Sequence, residues 1–214
     1  MKLVFDAAPP VTIPIAGSDL RFPVNRIFCV GRNYAEHVKE MGNDLKGSPI
    51  FFMKPADAIV LDGRFPYPSG SKDVHHEVEL VMAMGPDAGI FGYAVGLDMT
   101  RRDLQAEAKK GGKPWEAAKS FDYSAPISAI VPMTDEMAQG AIALDVNGQR
   151  RQTGDLAEMI WNAGEIIAEL NLLFELKAGD LIFTGTPSGV GSVQRGDRLH
   201  AEIAGLGALD VDVV

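Results

Sequence analysis

A chain of 214 residues, 46% hydrophobic and 23% charged, is long enough to bury one substantial core and too short for two full domains. Its formal net charge of −9 argues against nucleic acid and anionic membrane surfaces as partners. A single cysteine excludes an intrachain disulfide, no apolar run is long enough to span a bilayer, and Met1-Lys2-Leu3-Val4-Phe5 lacks the apolar core of a signal peptide, so the expected location is the cytoplasm.

Residues 1–23 hold one short strand, 11–15, and two proline-containing turns; they read as an N-terminal extension to a single domain covering 24–214. Residues 24–30 read as a strand, and Gly31-Arg32-Asn33 as the turn that leaves it. Cys29 lies in that apolar run and reads as a buried, inert thiol. Residues 34–41 read as a short helix ended by Gly42. His37 and Glu40 are three apart on it and therefore neighbours. A carboxylate there accepts the proton of one imidazole nitrogen and leaves the other as a base. An exposed, merely solvated pair is the plainer alternative. Residues 50–53 and 58–61 are apolar runs separated by Lys54-Pro55, and 65–71 is a loop.

Residues 74–84 read as one strand. Glu77 and Glu79 project from one face of it, while Val78, Leu80 and Met82 take the other. Two carboxylates held that close repel and lose hydration, and a hard divalent cation relieves both costs. Asp98 ends the next strand-like run, 93–98, and brings a third carboxylate if the two strands are neighbours. A solvated acidic face is the alternative. His75 and His76 read as supports for the carboxylates or as structural residues, because an all-oxygen site has little use for imidazole.

Arg101, Arg102, Lys109, Lys110, Lys113 and Lys119 crowd the stretch that follows. An anionic substrate beside three carboxylates needs such charge. Residues 101–110 read as a helix ended by Gly111-Gly112, with Lys109, Lys110 and Lys113 on a solvated face. Arg102 and Lys119 read as the cations facing the site, and Trp115 and Phe121 as packing.

Residues 141–146 followed by Asn147-Gly148 read as a hairpin. The longest helical pattern is 155–174, with Asp155 as N-cap or first-turn acid. A strand at 181–184 runs into Thr184-Gly185-Thr186-Pro187-Ser188-Gly189-Val190-Gly191. That loop lacks the Gly-Lys-Ser/Thr of a nucleotide site. It reads either as a tight turn or as a cradle of N–H groups for a carboxylate, helped by the Thr186 hydroxyl. Runs at 198–203 and 208–214 close the chain as strands. Strands outnumber helices without alternating with them, which predicts α+β with a curled, mostly β core.

With these residues in place, the chain resembles the fumarylacetoacetate hydrolase family. The motifs that carry the resemblance occur in order: Gly31-Arg32-Asn33-Tyr34-Ala35-Glu36-His37, His75-His76-Glu77-Val78-Glu79-Leu80, Gly96-Leu97-Asp98-Met99-Thr100, Lys119-Ser120-Phe121-Asp122, and the glycine-rich loop from Thr184 to Gly191. The short N-terminus resembles the compact acylpyruvase-type members. Phe51-Phe52-Met53-Lys54-Pro55-Ala56-Asp57-Ala58 resembles the fumarylpyruvate hydrolases of bacterial gentisate degradation.

The resemblance implies a mixed β-roll or sandwich and, usually, a homodimer. It implies Mg²⁺ or Mn²⁺ on Glu77, Glu79 and Asp98, and a lid helix whose His37 and Glu40 activate water. Gln105 and Lys119 then lie beside the bound oxoacid, Thr186 and Gly185 near its carboxylate, and Arg102 among the substrate contacts. Arg32 and Lys54 are expected to hold a distal carboxylate. The implied reaction is hydrolysis of the carbon–carbon bond of an acylpyruvate, with fumarylpyruvate giving fumarate and pyruvate. Oxaloacetate decarboxylation, isomerisation or decarboxylation of a ring-cleavage dienoate, and oxoacid binding without catalysis remain open alternatives.

Overall fold

In the computed structural model, which describes residues 2–35, 48–87, 89–133 and 135–214, the Val78–Met84 strand is buried at all seven positions. A run that is apolar without alternation needs cover on both faces, and it receives it. The strand pairs antiparallel with Ile90–Leu97 on one side and Leu181–Phe183 on the other. These three sit inside a six-stranded sheet ordered Val131–Pro132, Ile90–Leu97, Val78–Met84, Leu181–Phe183, Ile27–Gly31, Ile50–Lys54. The sheet is mixed, because Leu181–Phe183 runs parallel to Ile27–Gly31.

One face of this sheet presents Val78, Leu80, Met82 and Met84 to a five-stranded sheet ordered Gln149–Asp155, Ala141–Val146, Arg198–Ile203, Gly207–Val213, Arg64–Phe65. Ile142, Leu144, Leu199 and Val211 answer from that second sheet, and Ile166 and Leu170 from the helix Ala163–Leu173. The other face carries Val81, Ala83 and Phe183 against Ile13 and Phe22 of the hairpin formed by Thr12–Pro14 and Arg21–Pro23. Each fully buried Val, Leu or Phe contributes roughly 1.5–3 kcal/mol. The fold is α+β, as the pattern of the sequence predicts. Among the described residues no helix is long and apolar enough to cross a membrane.

Local signals act as the chemistry requires. Asn147 and Gly148 both take positive φ, 52° and 73°, as a two-residue type I′ hairpin turn demands. The helix predicted at 101–110 is Arg102–Gly111, closed by Gly112 at φ 60°. Two predicted elements are split. The run 74–84 breaks at Glu77 into Val74–His76 and Val78–Met84. The helix predicted at 155–174 is instead a 3₁₀ turn, Leu156–Glu158, and the helix Ala163–Leu173, each with its own capping box, on Asp155 and Asn162. Asn33 causes this second split. Its carbonyl accepts the Ile160 N–H at 2.7 Å and its Oδ1 accepts the Trp161 N–H at 2.7 Å, so neither donor closes a helical bond. The helix predicted at 34–41, with His37 and Glu40, lies outside the described residues beyond its first two positions.

Gly96 stands opposite Glu79 in the ladder between Val78–Met84 and Ile90–Leu97. A Cβ there would lie 2.6 Å from both the Phe183 ring and a Val81 methyl. Gly96→Ala is therefore expected to destabilise the protein by about 1–3 kcal/mol, read from chemical denaturation midpoints. An unshifted midpoint would contradict the packing described.

Candidate metal centre and oxoacid pocket

The break at Glu77 builds the site. Val74–His76 belongs to a small sheet with Thr100–Arg101 and Gly191–Val193, whereas Val78–Met84 belongs to the six-stranded sheet. Glu77 is the joint between them, and its carbonyl accepts the Asp98 N–H at 2.9 Å. Strand parity alone would set Glu77 and Glu79 side by side on one regular strand. The joint instead lets Glu77, Glu79 and Asp98 converge, each buried, with ligand oxygens within 4.8 Å of one another.

Buried carboxylates this close need compensating charge. Lys119 Nζ lies 2.8 Å from Glu77 Oε2, 2.6 Å from Asp98 Oδ2 and 2.6 Å from the Thr100 hydroxyl. Arg102 donates to Glu77 Oε1 and, at 2.6 Å, to Gln105 Oε1. Lys54 Nζ lies 2.8 Å from Asp98 Oδ1 and donates to the carbonyls of Lys119 and Met99. Burial works against the Lys119 ammonium, but the Asp98 and Glu77 charges outweigh it and hold its pKa above the ordinary lysine value.

Glu79 has no such partner among the described residues. It accepts the Gly185 N–H at 2.8 Å. Burial first, then the charges of Asp98 and Glu77, push its pKa well above the usual carboxylate range. Two unit charges 4 Å apart interact by about 4 kcal/mol at an effective dielectric of 20, so the cluster favours a further cation at Glu79. Asp98 Oδ1 is buried and lacks a hydrogen bond even with the Lys54 ammonium beside it. Three carboxylates with no nitrogen or sulfur donor suit a hard divalent ion such as Mg²⁺ or Mn²⁺. The residues present fit that group.

Glu77 and Asp98 of the cluster floor a pocket walled by Arg32, Phe52, Gln105, Lys109, Trp115 and Thr186. Several residues take different parts from those expected of them. Lys54 is fully buried beneath Asp98 and supports that carboxylate; it does not reach a substrate's distal end. Gly185, at φ 99°, donates its N–H to Glu79, so that donor is spent on positioning this carboxylate. Lys109 is exposed, as a solvated face predicts, yet it stands at the pocket rim with its ammonium 5.2 Å from the centre of the Trp115 ring. Trp115 is therefore pocket wall as well as packing. Cys29 is wholly buried, and burial raises its thiol pKa well above the usual value.

Gln152 is a contributor the sequence pattern does not mark. It is wholly buried in a strand of otherwise polar, largely exposed residues. Its amide nitrogen donates to the Thr186 hydroxyl at 2.7 Å and to the Pro187 carbonyl at 2.9 Å. A carbonyl only accepts, so this contact fixes the amide orientation and turns Oε1 toward the Val78 N–H and His76 Nδ1. His76 then donates from Nδ1, and burial lowers its pKa. His75 meets Arg102 and Asp73. Neither histidine joins the carboxylate cluster.

Comparison with known proteins agrees with this arrangement. Residues 26–214 match the family model for the fumarylacetoacetate (FAA) hydrolase C-terminal domain. The oxaloacetate tautomerase of Escherichia coli (strain K12) is 43% identical over 204 residues, covering 88% of this chain and 93% of that protein. The mitochondrial oxaloacetate tautomerase of Rattus norvegicus is 44% identical over 193 residues, covering 84% of this chain and 87% of that protein. The crystal structure of fumarylpyruvate hydrolase from Pseudomonas aeruginosa, in complex with Mn²⁺ and pyruvate, matches with a TM-score of 0.96 and 46% identity, covering 100% of this chain and 99% of that one. The ordered motifs, the two packed mixed sheets and the near full-length matches lead to one conclusion: this chain belongs to the fumarylacetoacetate hydrolase family.

Proposed function

We propose that the chain is a divalent-metal-dependent hydrolase that cleaves fumarylpyruvate to fumarate and pyruvate. The observation that carries this reading is the buried Glu77, Glu79 and Asp98 cluster under a cationic pocket, in a chain that superimposes over its whole length on a fumarylpyruvate hydrolase holding Mn²⁺ and pyruvate. On the same reading the protein works in aromatic-compound degradation, as in the gentisate route, in the cytoplasm and as a homodimer.

A divalent ion on the three carboxylates would supply a Lewis acid for the 2-oxoacid end of the substrate. Lys119 and Arg102 present positive charge to that end. Gln105 Oε1 accepts from Arg102, which leaves its amide N–H₂ group available to donate to the substrate. Thr186 Oγ1 accepts from Gln152, which leaves its own hydrogen to donate to the substrate carboxylate. His37, oriented by Glu40, takes a proton from the water that attacks the distal carbonyl. The bond from that carbonyl to the methylene breaks, and its electron pair leaves on pyruvate as the enolate. The proton then returns to the methylene carbon, so one water is consumed. Lys119 and Arg102 are fixed in place before the enolate charge grows, which is where preorganised charge acts most strongly.

A second reading has its own support: relatives above 40% identity are named oxaloacetate tautomerase. Oxaloacetate is also an enolisable 2-oxoacid, and its tautomerisation needs the same grip without attacking water. Assays with fumarylpyruvate and with oxaloacetate, each with Mg²⁺ and again with chelator, separate the two. Release of pyruvate and fumarate that stops on chelation is the expected result. Enol–keto exchange of oxaloacetate with no cleavage of any acylpyruvate would replace the hydrolase reading.

Two substitutions test the roles. Glu79→Ala is expected to lose Mn²⁺ binding in calorimetry together with activity. His37→Ala is expected to keep Mn²⁺ and lose about 10²–10⁴-fold in hydrolysis; a variant as fast as the parent would remove His37 from the mechanism.

A further inference from the structure

We propose that Arg32 and Lys109 form a second anion subsite, which selects oxoacids carrying a negatively charged group at the end remote from the carboxylate cluster. The inference rests on the reading above for the near end of the substrate and extends it to the far end.

Helix Arg102–Gly111 sets the distance. Arg102, Gln105 and Lys109 follow at spacings of three and four, so they share one face, and all three line the pocket. Arg102 is bound to Glu77 at the near end. Lys109 lies seven residues further, about 10 Å along the axis at 1.5 Å per residue. The seven carbons of fumarylpyruvate span six carbon–carbon bonds, as many backbone bonds as two extended residues, which is about 7 Å. With the reach of its end groups, such a molecule fills the interval. Oxaloacetate, with half as many carbon–carbon bonds, does not.

The cations at the far end are short of partners. Arg32 Nε is buried and has no hydrogen-bond partner among the described residues. Lys109 has the face of Trp115 beneath its ammonium and no carboxylate paired with it among the described residues. Partial burial, then the nearby charges of Arg102 and Arg32, lower its pKa to about 8. An arriving carboxylate supplies a partner to Arg32 and a counter-charge to Lys109. Phe52 and Trp115, whose rings pack against each other at 6.1 Å, give the pocket an apolar wall that suits the middle of such a substrate.

The test uses two inert 2-oxoacids of equal length, 2-oxoheptanedioate and 2-oxoheptanoate, which differ only in the terminal carboxylate and cannot undergo the cleavage. Calorimetry on the Mn²⁺-loaded protein is expected to give the diacid an advantage of about 10–100-fold, the range of one or two charge-assisted hydrogen bonds. Lys109→Met, and separately Arg32→Gln, should each bring that ratio toward one, and Lys109→Arg should restore it. Oxalate, which reaches only the near end, reports whether each variant still folds and binds. Equal affinity of the parent for both acids would overturn the subsite, as would variants that lose both acids in parallel. Because neither acid is turned over, a parent that prefers the diacid yet leaves fumarylpyruvate intact would keep the subsite and remove the hydrolase reading.

Discussion

Three carboxylates cannot share a buried pocket as anions unless cations are built in beside them. Lys119 meets that condition for two of them at once, with its ammonium within 2.8 Å of Glu77, Asp98 and Thr100 at the pocket wall. Removing one partner from such a buried set typically costs about 3–5 kcal/mol, because the opposite charge is left stranded. The cations here are therefore structural before they are chemical. Lys54 illustrates the point: it does not line the pocket, yet its buried ammonium lies 2.8 Å from Asp98 Oδ1 and adds positive charge behind that carboxylate. The cluster is balanced around Glu77 and Asp98 and unbalanced at Glu79, and that asymmetry is what gives the site an appetite for a divalent ion.

The fold delivers this arrangement through irregularities in otherwise regular elements. Val78–Met84 is anchored on both faces by apolar packing, which fixes Glu79 in the interior. Glu77, one step outside that strand, accepts the Asp98 N–H through its carbonyl and carries its carboxylate to Lys119. Gly96 leaves room opposite Glu79, and Gly185 brings a backbone N–H to it from the end of a neighbouring strand. Asn33 links the turn after Ile27–Gly31 to residues 160 and 161, and its amide also reaches the Thr184 carbonyl at 2.7 Å. One side chain thus ties three segments around the rim of the pocket.

What was legible in the sequence follows the range of the interactions involved. The Asn147-Gly148 turn and the helix ended by Gly112 are governed by neighbours within a few residues, and they stand where the pattern puts them. The convergence of Glu77, Glu79 and Asp98 was legible because adjacent strands usually pair. The split at Glu77 was not, since it depends on Gln152, seventy-odd residues on, taking the Val78 N–H. The split of the long helix was hidden for the same reason, through Asn33. Lys54, Gly185 and Lys109 were recognisable as polar groups near the site, but whether each faces substrate, carboxylate or solvent is set by three-dimensional neighbours that spacing does not encode.

The two chemistries supported by the relatives share the near end of the pocket. On the proposed reading both need a 2-oxoacid held with its carboxylate and oxo group toward the carboxylate cluster, and both would pass through an enolate beside the charges of Lys119 and Arg102. The near end therefore cannot distinguish them, however complete its geometry. Discrimination has to come from water activation and from substrate length. Length is written in the helix Arg102–Gly111, whose one face carries a cation at each end with Gln105 between. On the proposed subsite, a four-carbon diacid bound beside Arg102 and Lys119 would leave Arg32 and Lys109 without a counter-charge. A seven-carbon diacid supplies the counter-charge there. The proposed subsite at the far wall thus suits an extended dicarboxylic oxoacid better than a short one, a distinction that one fold and one carboxylate cluster do not make by themselves.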